Sequence, residues 1–382
     1  MTTHVFIVDE TTFKYHLRYL FAGTGAKDKD VDFNASRSSS LFHATEAGLV
    51  FMMADCCRVR ENDFVLFYLQ ATSRREGRFY GVFQAVGDVF LDRNDGGQFL
   101  SKQLKKNLTF RVRIKPYEVY SKGVTEWEAL DEIKNIKSPC QMLWSLIYRK
   151  LRANRGNTMI TIYEAERLID IIRRENNRIS LSNASSYDYV DGQIKVLKSI
   201  SRYTGRQTAI DILPRLVEKY EGEKAHEAHL QMYITQQVGR NSNLDNALGI
   251  TLNQLEWIGN EVACGVGMQR IDVMLSVNKS ESERLIIPIE LKAVSASKDN
   301  VRQISRYIDW IEQYYVPNRI STISPVLICR EGGLTDELKQ TFRDFNSAAV
   351  GRYLPLRYIE YKVEKNNIFF NNIVYYNTSL KI

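Results

Sequence analysis

Short stretches in which apolar side chains alternate with polar ones, or follow one another without a break, dominate the first third of the chain. They predict β-strands, because successive side chains of a strand leave opposite faces. These strands are predicted at 4–9, 63–70, 78–91 and 108–120. Residues with helical spacing predict helices at 12–21, 40–56, 139–152 and 161–174. This half is therefore expected to form a small β-barrel or sheet with helices packed on it.

The pattern changes at residues 176–193, which are rich in Asn and Ser and have little apolar periodicity, as is typical of a linker. Beyond them we predict helices at 194–203, 208–220, 223–238, 298–315 and 334–346. Strands are predicted at 255–263, 270–277, 284–291, 325–329, 356–363 and 368–376. Strands that alternate with helices indicate a sheet with helices on its faces.

We therefore expect an α+β protein with a first domain at 1–178, a linker at 179–193 and a second domain at 194–382. A chain of 382 residues has the length of two domains. Its 52 basic and 45 acidic residues leave a net charge of +7, which is compatible with a polyanionic partner. The sequence has neither a long apolar run nor a signal-peptide pattern, so we expect a cytoplasmic protein without a membrane span. The five scattered cysteines, which lack C-x-x-C spacing, predict reduced thiols.

Charged residues interrupt two of the predicted apolar strands in the second half. Asp272 stands in IDVML, and Glu290 and Lys292 stand in IIPIELK. Glu290 and Lys292 are two positions apart, so their side chains leave the same face of a strand. Two carboxylates with an open side suit Mg²⁺, and a nearby lysine can orient or deprotonate water or neutralise charge. The competing interpretation is a salt bridge on a sheet face.

The order HEAHLQMYI, RIDVML, IELK and Q-x-x-x-Y resembles the PD-(D/E)XK nuclease superfamily, in its RecB-like and mismatch-endonuclease branches. The resemblance implies a restriction-endonuclease-like α/β/α sandwich. It also implies that Asp272, Glu290 and Glu227 bind Mg²⁺, for which Mn²⁺ would substitute, and that Lys292 assists catalysis. Gln303 and its helical neighbour Tyr307 would support the active site or contact DNA. Pro288 departs from the pattern, since it removes a hydrogen bond from a central strand.

Basic residues around this motif suit a DNA backbone. Arg270, Arg302 and Arg306 are expected to contact phosphates, although a solvated helix face explains the latter two equally well. Glu261 fits either an extra acidic group beside the metal or an ordinary strand residue.

The segment Gly77-Arg78-Phe79-Tyr80-Gly81-Val82 and its surroundings resemble the PUA-like group that includes the EVE and YTH domains. The resemblance implies a β-barrel with helices that reads nucleic acid and holds a base in a pocket. The candidate base-pocket residues by position are Phe33, Asn34, Ser38, Tyr80 and Trp127; ordinary core packing is the alternative for Phe33 and Tyr80. One face of strand 108–120 is basic and could contact phosphates through Arg111, Arg113 and Lys115, unless it is simply solvated.

Together these observations predict a Mg²⁺-dependent, type II-like restriction endonuclease that acts on double-stranded DNA as a homodimer without a nucleotide cofactor. The first domain would recognise the site, and the second would hydrolyse phosphodiester bonds. The alternatives are a mismatch- or structure-specific repair nuclease and a catalytically inert nucleic-acid-binding protein.

Overall fold

The computed structural model describes residues 1–25, 46–131, 156–264, 269–317, 319–348 and 351–375. The chain forms two compact units, Met1–Asp211 and Ile212–Ile382. Both combine sheets with helices, so the predicted α+β class is confirmed. Across the described residues, no helix is long and apolar enough to cross a lipid bilayer.

The first unit contains one large sheet with helices and a small hairpin. Elements are numbered in chain order over the described residues. The strands are β1 (Thr3–Val8), β2 (Phe21–Thr24), β3 (Phe64–Leu69), β4 (Arg78–Leu91), β5 (Phe110–Pro116), β6 (Val124–Thr125), β7 (Asn157–Ile160), β8 (Tyr187–Val190), β9 (Gln193–Val196) and β10 (Thr208–Ala209). The helices are α1 (Glu10–Tyr19), α2 (Glu46–Cys57), α3 (Ser101–Leu104), α4 (Glu126–Asp131) and α5 (Ile162–Glu175).

The large sheet follows the order β2-β5-β4-β3-β1-β7, with β6 and β10 paired to β4. The predicted closed barrel is not formed by the described residues, because β2 and β7 stand at opposite ends of this path. Helix α5 begins with a capping box in which the side chains of Thr161 and Glu164 satisfy each other's backbone N–H groups. The four described cysteines are buried, free thiols.

The segment predicted as a linker carries the β8–β9 hairpin, and the division between the units falls after Asp211. Tyr187, Tyr189 and Ile194 are buried, and the Tyr189 ring packs 5.2 Å from that of Phe13. The hairpin turns at Asp191-Gly192, both with positive φ, which is the turn chemistry that an Asp-Gly pair favours. The Asn- and Ser-rich composition hid this short alternating pattern. The helix predicted at 194–203 is wrong, because residues 194–196 belong to β9 and residues 197–203 form no helix.

The second unit alternates helices and strands as the sequence predicts. Its helices are α6 (Leu213–Glu221), α7 (Glu227–Gln237), α8 (Asn243–Leu248), α9 (Lys298–Trp310) and α10 (Asp336–Ser347). Its strands are β11 (Leu255–Ala263), β12 (Arg270–Asn278), β13 (Arg284–Lys292), β14 (Thr322–Ile323), β15 (Val326–Arg330), β16 (Arg357–Glu364) and β17 (Asn367–Ile373).

The sheet of the second unit follows the order β11-β12-β13-β15-β16-β17. Strands β11, β12 and β13 form an antiparallel meander, whereas β13, β15 and β16 are parallel and are connected through α9 and α10. Apolar residues of α7 such as Leu230 and Ile234 pack with Val273, Ile287 and Ile289 of the sheet. This packing fixes α7 beside the meander.

Pro288 lies inside β13 without disrupting it. On one side it faces Met274 of β12. On the other side, β14 pairs with Leu285 and Ile286, and β15 begins to pair only at Ile289. The proline therefore falls where β13 changes its parallel partner, so the missing N–H interrupts no continuous ladder.

Candidate active site

The acidic residues predicted to be catalytic meet on the β12–β13 hairpin. Val273 pairs with Ile289, so Asp272 comes opposite Glu290 at the next antiparallel step. The Leu291 N–H donates a hydrogen bond of 2.8 Å to Asp272 Oδ2. The chain thus brings the two carboxylates together through backbone register rather than through flexible side chains.

The two carboxylates lie in a setting that disfavours their charge. Glu290 is fully buried, and Asp272 is half-buried. Burial, and then the charge of Glu290, raise the pKa of Asp272 well above its usual value. Burial also raises the pKa of Glu290, against the opposing charge of Lys292. Nearby positive charge therefore does not balance the two carboxylates, and a bound cation would supply the missing charge.

Lys292 provides part of that charge. Its Nζ lies 2.8 Å from Glu290 Oε1 and 3.5 Å from Glu227 Oε1, so Glu290 and Lys292 leave the same face as predicted. Burial opposes the charge of Lys292, but the neighbouring carboxylates, with Glu290 first, outweigh it and raise the pKa of Lys292 to about 12. In this arrangement Lys292 is an ammonium ion at neutral pH.

Helix α9 supports Glu290 from the side. The Tyr307 hydroxyl lies 2.7 Å from Glu290 Oε2 and 2.8 Å from the Arg270 carbonyl oxygen, and Gln303 Nε2 donates to the same hydroxyl at 2.5 Å. Tyr307 is fully buried, and its burial together with the charge of Glu290 raises its pKa. The expectation that Tyr307 contacts DNA is therefore wrong, because its hydroxyl is used inside the protein. Arg302 and Arg306 lie on the exposed face of α9.

Glu227 begins α7 and is exposed, with Lys292 as its partner. Among the described residues, no three His, Cys, Asp or Glu side chains stand close enough to form a ready metal-binding group. The carboxylates of Asp272 and Glu290 form a pair, and the Lys292 ammonium separates Glu290 from Glu227. The residues whose oxygen atoms suit a divalent cation are thus Asp272 and Glu290, with Glu227 at the rim.

Sequence reasoning missed Gln231, which lies one turn after Glu227 on α7. Its Nε2 donates to the Asp272 carbonyl oxygen at 2.7 Å and to Glu261 Oε1 at 3.1 Å. Glu261 Oε2 in turn accepts from Arg270 Nη1 at 2.9 Å. The spacing of four residues between Glu227 and Gln231 was the available signal, because such positions share a helix face.

The basic face predicted on β5 is only partly exposed. Arg113 and Lys115 are exposed, but Arg111 is buried and forms an ion pair with Asp92 at 3.2 Å. Its other donors reach the carbonyl oxygens of Leu108 and Phe99. The expectation that Arg111 contacts DNA is wrong, because the buried carboxylate of Asp92 draws it inward.

The predicted base-pocket residues do not come together where the structure describes them. Phe33, Asn34 and Ser38 lie outside the described residues. Tyr80 is a core residue whose hydroxyl donates to the Gly192 carbonyl oxygen, and Trp127 is 58% exposed on α4. The first unit has a cavity of about 210 Å³ whose walls include residues of α2 and β7, and neither aromatic residue lines it.

No protein-family model and no curated protein matches this sequence. Among solved structures, the chain is similar to that of the human THYN1 protein in complex with DNA containing 5-methylcytosine. The match has 8% sequence identity, covers 45% of this chain and 97% of that chain, and has a TM-score of 0.26. A likeness at this level assigns neither a fold family nor a function to the chain.

Proposed function

We propose that the protein is a Mg²⁺-dependent DNA endonuclease of restriction or defence type, with its active site on the β12–β13 hairpin. The observation that carries the proposal is the pair of neighbouring carboxylates, Asp272 and Glu290, in otherwise apolar strands. Raised pKa values mark the pair as lacking positive charge. Perturbed carboxylates of this kind concentrate at functional sites.

The donor set fits Mg²⁺, because carboxylate oxygens are the ligands that this hard cation prefers. Asp272 and Glu290 would hold it, with Glu227 as a further ligand. When bound, Mg²⁺ would supply a Lewis acid beside the phosphate and its attacking water. Lys292, held as an ammonium ion, would neutralise charge that develops on the phosphate. Gln303 acts through Tyr307, whose hydroxyl keeps Glu290 in place.

We further propose a restriction-endonuclease-like α/β/α sandwich for the second unit and a PUA-like recognition domain for the first. The meander followed by parallel strands with helical connections supports the former. The PUA-like proposal rests on the resemblance of the Gly77–Val82 segment. Exposed Arg113 and Lys115 suit a DNA backbone, as do Arg270, Arg302 and Arg306 in the second unit. Cleavage of both strands would require a homodimer or two binding events, since we propose one such site in each chain.

The test is incubation of the full chain with Mg²⁺ and a panel of plasmid, phage, methylated, hydroxymethylated and mismatched DNAs. We expect cleavage of at least one of these DNAs. Asp272→Asn should reduce cleavage by roughly a thousandfold or more while leaving DNA binding intact. Asp191→Asn removes an exposed carboxylate, 85% accessible, and serves as the matched control. A wild-type chain inert on every DNA, or a fully active Asp272→Asn variant, contradicts the proposal.

A further inference from the structure

A strained residue stands directly beside the candidate active site. Glu261 lies in β11 between the ladder pairs Asn260–Val273 and Val262–Ile271, and is therefore opposite Asp272. Its φ is 50°, in the left-handed region that is strained for a residue with a side chain. Residues held in such conformations concentrate at functional sites, where surrounding contacts maintain them.

The contacts of Glu261 show what the conformation achieves. The carboxylate, 14% exposed, receives Gln231 Nε2 on one oxygen and Arg270 Nη1 on the other. Gln231 also binds the Asp272 carbonyl oxygen, so the Glu261 carboxylate is fixed against the backbone of a proposed metal ligand. Arg270 is two positions before Asp272, and their side chains leave the same face of β12.

Arg270 is suited to receive a phosphate. Its side chain is 38% exposed, and among the described residues its guanidinium makes the one ion pair with Glu261. A guanidinium has five N–H donors in a planar fork that matches phosphate oxygens. Lys292, in contrast, is engaged by two carboxylates. Without its Glu261 partner, Arg270 would be free to turn toward the neighbouring carboxylates of Asp272 and Glu290.

We propose that Glu261 is a positioning residue that holds Arg270 at the edge of the carboxylate pair, where the guanidinium binds the phosphate to be cleaved. This inference rests on the proposed nuclease function. In its left-handed conformation, Glu261 places its carboxylate between Gln231 and Arg270, and these two contacts hold the conformation.

The decisive variant is Glu261→Gly, because glycine adopts the left-handed conformation without strain and removes the carboxylate. We expect kcat to fall about tenfold, with a melting temperature equal to or above that of the wild type. Lys365→Gly is the matched control: Lys365 has a φ of 48° in the β16–β17 turn, so the change relieves similar strain and should leave kcat unchanged.

Arg270 provides a second measurement. Arg270→Ala should lower kcat about a hundredfold and reduce the salt dependence of DNA binding by about one phosphate contact. Arg270→Lys should be intermediate, since it keeps the charge but loses the fork. If the wild type cleaves DNA and Glu261→Gly or Arg270→Ala cleaves at the wild-type rate, this inference alone fails. A wild-type chain inert on all DNAs overturns the proposed function, and this inference with it.

Discussion

Each unit of the protein buries a cluster of charged side chains, and the two clusters differ in charge balance. In the first unit, Asp92 and Arg111 are both fully inaccessible and lie 3.2 Å apart. Asp92 also accepts from the Phe99 N–H and from the Tyr203 hydroxyl. In the second unit, the neighbouring carboxylates are those of Asp272, Glu290 and Glu227. The Lys292 ammonium lies between Glu290 and Glu227.

The difference separates a structural cluster from a functional candidate. Around Arg111 every charge has a partner and each guanidinium nitrogen has an acceptor, so the cluster is complete without a ligand. Around Asp272, burial and the charge of Glu290 raise the pKa of Asp272, and burial raises that of Glu290, so the cluster is incomplete as it stands. A buried charge is therefore informative about function only when its neighbours leave it unbalanced.

The largest expected effect concerns the complete cluster. Arg111→Ala removes the buried cation beside the Asp92 carboxylate, which keeps the partly exposed Arg206 at 3.4 Å. It should lower the free energy of unfolding by about 3 kcal/mol, the lower end for a broken buried pair. Arg113→Ala, two positions along the same strand but exposed, should change it by less than about 0.5 kcal/mol. Urea denaturation followed by circular dichroism measures both. Equal effects of the two substitutions would show that the ion pair of Arg111 and Asp92 does not stabilise the fold.

The next effect concerns the incomplete cluster and needs no nuclease assay. Mg²⁺ at a hundred times its dissociation constant should stabilise the wild type by about 2.7 kcal/mol, because it binds the folded state alone. Thermal unfolding with Mg²⁺ and with EDTA measures this gain. The gain should disappear in Asp272→Asn and persist in Asp191→Asn. Stabilisation that survives in Asp272→Asn would place the cation elsewhere.

The contrast between the clusters also shows how far the sequence could predict the protein. Strand alternation predicted the two strands of the hairpin, and the spacing of Glu290 and Lys292 predicted their shared face, because both depend on local periodicity. Arg111 has the same alternating context as Arg113, and its burial depends on a tertiary contact with Asp92 that alternation does not reveal.

Longer-range features escaped prediction for the same physical reason. The β8–β9 hairpin is stabilised by the packing of Tyr189 against Phe13, which the local composition does not reveal. Similarly, the link from Gln231 through Glu261 to Arg270 requires the register of β11 against β12. Residue type and spacing predicted which carboxylates meet, whereas the polar residues that surround them became evident only from tertiary contacts.

The smallest effect tests the charge imbalance itself, through pH. The folded chain holds the pKa of Asp272 well above its ordinary value of 3.8, so the folded state binds the proton more tightly than the unfolded state. The stabilisation from that proton is complete below pH 3.8 and is lost as the pH rises through the folded pKa.

Asp272→Asn fixes the neutral form of this side chain. It should therefore be more stable than the wild type at pH 7 without divalent cations, and equally stable near pH 4. Urea unfolding of both chains across this range, with Asp191→Asn as the control, measures the difference. A variant less stable than the wild type at pH 7 would mean that nearby positive charge balances the Asp272 carboxylate, as Arg111 balances that of Asp92.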